Sequence, residues 1–578
     1  MPGFFVCNKT TRFTLKDKYP ENDISGSINY PEGYTVLRNT LDKFMDDKAF
    51  CRYGDHVCIL DGMLLNKKAL YTKYKTDTVP SLMKIMYEKL GETFFSEFRG
   101  AFTGAMYIAE KNRWIVFTNQ TGEAPLFYIC TGGVFAFASQ VRYLTDMCKE
   151  LNIKLTFDEC CAYQMLTYAF VPADNTYARE IKRLDAGCYL VIENNMIQKK
   201  QYHRFKRDTI KLSGCSENEI VELIDSAFRA AVKREWDKDD EYGYRHIADM
   251  SGGLDSRMNV WVAHKLKSRH IELLTFCKGG YLDEKIAKDI ARYWKDEIIV
   301  KQLDDASFMY DIDDITEHLS GLSLYCGITG GKSLVEMINW KRFGVHHTGM
   351  IGDAVLGSFY KSAADVAKRG FSGMYSEKLK DRILPQFEDF ISGFEDHEIF
   401  LLYSRALHGA ANTHLIRRSF SETASPFMDV DFLELCFSIP IELRADHYIY
   451  KKWIMSKYPN AARFKWEAIN GKITENPALL KTKELASRTD RKLTKIITQG
   501  KIQNNNGMNP LDYWLSRSRK LRSFMDSYES QGYKYLPASA SDKLVNDMHR
   551  LYQNGNAFEK SMVVTVLSAA RLYFGDNK

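Results

Sequence analysis

Residues 245–267, RHIADMSGGLDSRMNVWVAHKLK, join an apolar strand pattern to a helical pattern through a turn with two glycines. The alternation then repeats. IELLTFCKGG reads as a strand, LDEKIAKDIARYW as an amphipathic helix and EIIVKQL as another strand. Strands separated by helices of this length predict a parallel sheet with right-handed crossovers, which allows few topologies. The helix before the series, ENEIVELIDSAFRAAVKREW, carries apolar residues at intervals of three and four.

The turn itself has a chemistry. Gly252 and Gly253 let the backbone bend sharply and come close to a ligand. Free amides at a helix start favour an anion, and Ser251 and Ser256 add hydroxyls. Asp255 would repel a bare phosphate, so its presence points to a divalent cation between carboxylate and phosphate. The turn is therefore expected to hold a magnesium-bound di- or triphosphate. No Walker A sequence occurs in the chain.

With 578 residues, the chain is expected to form two or three domains. Residues 1–205 read as strand-rich: HVCILDGMLL, RWIVFTN, LFYIC, VFAFAS and CYLVIE are short apolar runs, with SLMKIMYEKLG a helix among them. They suggest packed antiparallel sheets. Residues 206–480 carry the parallel series, followed by mostly helical sequence beyond Asp353. Residues 481–578 form a helical extension of two or three helices after the polar run Gln503–Gly507. A net charge of +6 from 80 basic and 74 acidic residues is no nucleic-acid footprint. No run approaches a membrane span, and MPGFFVCNKT is not a signal peptide. Twelve cysteines without C-x-x-C read as reduced thiols of a cytoplasmic protein. The acidic runs DKDDE and YDIDDITEH read as solvent-facing, and KTKELASRTDRKLTKIITQGK as a solvated basic helix face or an anion-docking one.

SGGLDS resembles the pyrophosphate loop of the ATP pyrophosphatase superfamily. Three further stretches are similar to the asparagine synthetase branch. HTGMIGDAVLGSF looks like its S-G-E-G-x-D-E-x-F loop. ASPFMDVDFLELCFSIPIELR looks like its V-P-F-L-D segment, and HYIYKKWIMSKYP like the stretch with its catalytic lysine. The first 205 residues resemble that family's class II glutamine amidotransferase domain: LDGMLLNKKAL, FRGAFTGAMYI, TNQTGEAPLFY and VFAFASQVRYL occur in the family's order. The resemblance implies an N-terminal four-layer Ntn-hydrolase-like sandwich, then an ATP pyrophosphatase parallel-sheet domain with a helical C-terminal part. It implies ATP and Mg²⁺ as cofactors. Ser251, Gly252, Gly253, Asp255, Ser256, Thr348 and Gly349 would hold the phosphates, and Asp255 and Asp353 the metal. By spacing Lys452 takes the place of the catalytic lysine, with Lys451 close behind.

The departures bear on function. The family's glutaminase nucleophile is an N-terminal cysteine; removal of Met1 here leaves Pro2, which has no thiol. Cys7 is expected to be a structural thiol. The family's oxyanion-hole asparagine is Asp61, and the glutamate that grips glutamine's amine is Met63, while Gly62 and Asn66 remain. A retained fold with a dead glutaminase site is the expectation. Met350 stands where asparagine synthetases carry glutamate and β-lactam synthetases tyrosine, and it can neither take a proton nor pair with ammonium. Lys278, Asp283, Glu284 and Glu422 are polar residues in the right segments to serve instead, though each reads first as a plain surface charge. The expected activity is an AMP-forming amide ligase joining a small-molecule or peptide carboxylate to ammonia or an amine. A β-lactam- or peptide-ring-forming relative, and a non-catalytic binding protein, stay open, as does a homodimer.

Overall fold

The computed structural model describes residues 2–15, 23–326, 331–357, 359–360, 373–383, 388, 390–394, 396–476 and 507–575. The first half is two stacked antiparallel sheets. One contains β1 (Gly3–Cys7), β2 (Asp23–Ser27), β3 (Thr35–Leu41), β8 (Phe127–Thr131), β9 (Val134–Ala138) and β10 (Ile181–Arg183), ordered β10-β8-β9-β1-β3-β2. The other contains β4 (Ala49–Tyr53), β5 (His56–Gly62), β6 (Phe102–Ile108), β7 (Arg113–Thr118), β11 (Cys188–Glu193) and β12 (Met196–Gln201), ordered β12-β11-β7-β6-β5-β4.

Alternation along the strands builds the layers. In β1, Phe4 and Val6 point into the core between the sheets, against Val57, Ile59 and Trp114. Phe5 and Cys7 point the other way, beneath α3 (Val141–Glu150) and α4 (Glu159–Tyr168). The second sheet is covered by α1 (Lys67–Tyr74) and α2 (Val79–Leu90). Helix, sheet, sheet and helix make the expected four-layer sandwich.

The second half is a five-stranded parallel sheet of β13 (Arg245–Asp249), β14 (Glu272–Cys277), β15 (Glu297–Gln302), β16 (Phe343–His347) and β17 (Thr423–Ala424), ordered β15-β14-β13-β16-β17. Its helices include α5 (Glu217–Tyr242), α6 (Leu254–Lys265) and α7 (Leu282–Trp294). A reciprocal cap between Ser216 and Glu219 starts α5 where the amphipathic pattern begins. Four helices follow residue 507, not two or three: Leu511–Arg517, Arg519–Gly532, Asp542–Asn554 and Ala557–Phe574. Ser518 breaks the long pattern DYWLSRSRKLRSFMDSY by capping the second of them. The last helix is buried on nearly every side and shares one core with α3 and α4 of the sandwich. The basic stretch 481–501, the boundary at 481 and most of the polar run 503–507 lie outside the described residues.

The halves meet through buried charge. Asp47 lies 2.7 Å from the ammonium groups of both Lys67 and Lys238, and accepts hydrogen bonds from Tyr242 (2.7 Å) and the Leu64 amide (2.9 Å). Asp239 accepts from the Val345 amide at 2.7 Å and meets ring nitrogens of His246 and His347, each at 2.9 Å. The run DKDDE is thus not solvent-facing throughout, because the helix turns Lys238 and Asp239 inward. Within YDIDDITEH, Asp313 is partly exposed while His318 is buried. All twelve cysteines are unpaired.

Two measurements test this junction. Asp47→Ala leaves two buried ammonium groups facing each other and is expected to cost about 3–5 kcal/mol in urea unfolding; a loss below roughly 1 kcal/mol would show that the network is not what joins the halves. Burial pushes the Glu235 carboxyl up to about 7, against the pull of His347 4.0 Å away. His347 is pushed down by burial but further up by Asp239, ending above the ordinary imidazole range. Both groups hold protons in the native state that the unfolded chain gives up. The Glu235 share of stability is therefore expected to fall as pH rises from about 4.5 through 7, by about 3 kcal/mol, and the His347 share only above about 6.5; Glu235→Gln should remove the first.

Candidate functional site

The order β14-β13-β16 places the reversal of the sheet beside β13, and ligands of open parallel sheets sit outside the strand ends at such a point. Here the carboxyl ends of β13 and β16 feed the two loops singled out in the sequence, Met250–Gly253 and Thr348–Gly352. They border one cavity of about 780 Å³.

The loops fit because both lack side chains where they touch. A Cβ on Gly349 would lie 2.2 Å from the Ser256 amide nitrogen, and one on Gly352 would lie 2.5 Å from the Asp255 carboxyl carbon. Ser251 and Ser256 hydroxyls lie 3.0 Å apart, and the Ser256 hydroxyl accepts from the Ser251 amide at 3.0 Å. The Gly253 amide donates to the Ser251 hydroxyl at 3.1 Å. Behind the turn, the fully buried Arg257 donates to the carbonyls of Gly252, Ala461 and Lys465. Thr348 is held by the Ala424 carbonyl and the His414 ring, each 3.1 Å from its hydroxyl.

Asp255 and Asp353 are brought together as expected. The Asp353 amide donates to one Asp255 oxygen and the Tyr450 hydroxyl to the other, each at 2.8 Å. Burial, and then the neighbouring Asp353 charge, push the Asp255 carboxyl up to about 8. Among the described residues neither carboxylate has a lysine or arginine partner. Two hard oxygen donors side by side without a compensating cation suit Mg²⁺.

Neither Lys452 nor Lys451 is among the residues that line the cavity. Lys452 points elsewhere. It pairs with Glu217 at the start of α5, on the opposite side of the helix Tyr448–Lys457 from Tyr450. Two residues along a helix turn a side chain by about 200°. Lys451, next to Tyr450 and four residues after His447, shares the face of those two cavity-lining residues and lies 3.3 Å from Asp446. Met350 lines the cavity with no polar group to offer.

Three residues read as plain surface charges are buried instead. Asp283 accepts the Gly252 amide at 2.7 Å, and burial raises its carboxyl to about 6 despite that bond. Glu284 accepts from the Gly280 amide at 2.8 Å, and Glu422 lies 3.3 Å from the Lys48 ammonium. Lys278 is half-buried. Sequence reasoning missed Asp283 and Tyr450 as site residues. An acidic pair opening a helix, or a tyrosine before two lysines, carries no signal of where it points.

The other set, Pro2, Asp61, Gly62 and Met63, lies at the junction of the halves. Gly3 is paired with Asn39, which puts Pro2 beside Thr40, whose hydroxyl donates to Asp61 at 2.5 Å. Asp61 also lies 3.9 Å from the Lys48 ammonium. Gly62 has φ 112°, and a Cβ there would lie 2.2 Å from the Ala101 carbonyl oxygen. Met63 is fully buried with Phe44 against Val345 and Ala424 of the parallel sheet. Cys7 is buried under α3, and burial lifts its thiol to about 11.

The fold is a four-layer sandwich joined to a parallel sheet with a Gly-rich loop at its switch point. Residues 50–203 match the family described as glutamine amidotransferase domain. Among curated proteins, the chain is 24% identical over 307 residues to a protein named asparagine synthetase [glutamine-hydrolyzing] 2 of Methanocaldococcus jannaschii, covering 50% of this chain and 57% of that one. It is 24% identical over 261 residues to asparagine synthetase B [glutamine-hydrolyzing] of Escherichia coli, covering 41% and 40%. It is 23% identical over 408 residues to a second M. jannaschii protein named asparagine synthetase, covering 69% and 65%. The chain is thus similar to asparagine synthetases, and its matches span 40% to 65% of these relatives' own length. Among solved structures, glutamine phosphoribosylpyrophosphate amidotransferase from B. subtilis aligns at 10% identity and TM-score 0.23, over 47% of this chain and 65% of that one. An allosteric regulatory enzyme of purine biosynthesis aligns at 9% and 0.24, over 52% and 80%. Both scores are too low to bear on function.

Gly349→Ala is expected to force the two loops apart. Overpacking of this kind costs about 1–3 kcal/mol. The loss should appear as a lower Tm, whereas Gly214→Ala, with nothing within 4 Å, should leave Tm unchanged. Equal effects from both would dissociate Gly349 from loop contact.

Proposed function

We propose that this protein is an ATP-dependent, AMP- and pyrophosphate-forming amide ligase whose glutaminase site is inactive. The observation that carries the reading is the meeting of Asp255 and Asp353 beside the Gly-rich loop at the sheet's switch point. In this reading Asp255 and Asp353 hold Mg²⁺, which when bound neutralises phosphate charge. The hydroxyls of Ser251 and Ser256 and the amides at the start of α6 receive the departing pyrophosphate. Asp283 holds the Gly252 amide, and so the shape of the turn, before substrate arrives. The Tyr450 hydroxyl and the Asp353 amide fix the orientation of Asp255. Lys451, not Lys452, supplies the positive charge that meets the growing negative charge on the α-phosphate and then on the tetrahedral centre.

An inactive glutaminase is supported by the chemistry at Asp61 and Met63. An ionised Asp61 facing Lys48 would repel an oxyanion, and Met63 is packed into the junction with no group for an α-amine. The Cys7 thiol is too buried and too basic to act as nucleophile. The nitrogen is then free ammonia or an amine on the second substrate.

The test is pyrophosphate exchange into ATP with carboxylate acids, and AMP release with an amine present. Exchange is expected in the wild type and lost in the Asp255→Asn, Asp353→Asn double variant. Lys451→Ala should lower turnover by about 10²–10³, and Lys452→Ala by little. No glutamate should form from glutamine. Unchanged biological function of the double variant would refute the ligase reading and favour a non-catalytic relative.

A further inference from the structure

A ligase that joins an amine to an activated acid has to take a proton from the amine. The nitrogen becomes strongly acidic as it bonds to the acyl carbon, and the group that receives the proton must face the cavity. Met350 has no atom for this. The described carboxylates that line the cavity are each engaged elsewhere. Asp249 accepts from Arg417 at 2.9 Å and lies 2.7 Å from the His346 ring. Asp283 holds the Gly252 amide, Glu467 accepts from the Tyr281 hydroxyl, and Asp255 and Asp353 form the pair assigned to Mg²⁺. Among the described lining residues there is one imidazole, that of His447.

The backbone holds His447 there under strain. Asp446 and His447 are consecutive left-handed residues, with φ 50° and 60°. L-residues other than glycine resist that conformation, and such strain gathers at functional sites. The bend starts the helix Tyr448–Lys457 and lays the imidazole over Gly357: a Cβ on Gly357 would lie 2.3 Å from His447 Cδ2 and 2.6 Å from Nε2. Gly357 closes the π-helical turn that opens with Asp353. The Trp466 ring, at 5.4 Å and 66°, and the Tyr450 ring, at 6.5 Å and 26°, flank the imidazole. Tyr450 is also the residue whose hydroxyl orients Asp255, so the imidazole and the carboxylate pair share one end of the cavity. Burial holds the imidazole below its ordinary range, against the pull of Asp353 and Asp446 and with the push of Lys451. Near pH 7 it is neutral and able to accept a proton.

We propose that His447 is the general base of the amide-forming half-reaction. The amine enters as the free base, and its lone pair forms the C–N bond to the acyl carbon. The proton that the nitrogen then sheds passes to a ring nitrogen of His447. The bond from the acyl carbon to the phosphate oxygen breaks, and its electron pair leaves with AMP. The imidazolium returns its proton to water. The inference rests on the ligase reading.

The experiment uses the full chain with Mg-ATP. Pyrophosphate exchange is measured with L-aspartate, succinate and phenylacetate, and the most active acid is carried on to AMP release with ammonium and with methylamine. His447→Gly suits the left-handed backbone. It should leave exchange near the wild-type rate and lower AMP release by about 10²-fold or more. Added imidazole should restore much of that loss by entering the space left open. His447→Asn, which also accepts the backbone but fills part of the space, should lose AMP release without being rescued. AMP release unchanged in His447→Gly overturns the assignment, and so does loss of exchange along with it. A loss that imidazole does not restore gives the ring a packing role and overturns it too. Each of these leaves the ligase reading standing. Wild-type exchange without AMP release on either amine also overturns the assignment, because a base facing the cavity serves any amine that reaches it. No exchange with any acid overturns the ligase reading, and this inference with it.

Discussion

Asp47 takes a negative charge to a point with no accessible water, and everything near it is arranged to make that tolerable. Two ammonium groups from different halves of the chain, a phenol hydroxyl and a backbone amide converge on one carboxylate. An isolated buried charge is expensive, so the cluster forms only when every partner is present. The register of the sandwich against the parallel sheet follows from that condition. Asp239 extends the same logic one turn along α5, where two imidazoles and the Val345 amide close on it. Through Val345 the junction reaches β16, and through β16 the loop that carries Gly349 and Asp353.

This coupling explains why the altered amidotransferase site is packed solid. Met63 fills the space between Phe44 and the edge of the parallel sheet, and Lys48 bridges toward both Asp61 and Glu422. Met63, Phe44 and Lys48 thus serve as contacts between the sandwich and the parallel sheet.

The alternating strands and the Gly-rich turn were legible in the sequence because each depends on local pattern or on glycine, while the meeting of Asp255 with Asp353, 98 residues apart, was implied only by the family resemblance. Orientation was not legible. Lys451 and Lys452 are neighbours, and only the packing of their helix decides that the first shares the cavity face and the second meets Glu217. Asp283, Glu284 and Glu422 look like ordinary surface charges until the backbone amides and the lysine that they satisfy are known. The same holds for Asp239, one acid in an acidic run, which periodicity turns inward. Glu422 finds Lys48 hundreds of residues away, and Asp283 and Glu284 find backbone amides, which any residue supplies, so none leaves a trace in nearby sequence.

The helix Ala557–Phe574 has a consequence for how the protein comes into being. It covers α3 and α4, and Lys149 donates to the carbonyl of Gly575 at 2.7 Å. During synthesis, at about 5–20 residues per second, the sandwich emerges first, and its helical face waits roughly 20–80 seconds for that cover. For that interval an apolar surface of a nearly finished domain stands open to the cell. The order of translation thus leaves the outer faces of α3 and α4 uncovered until the helix Ala557–Phe574 arrives.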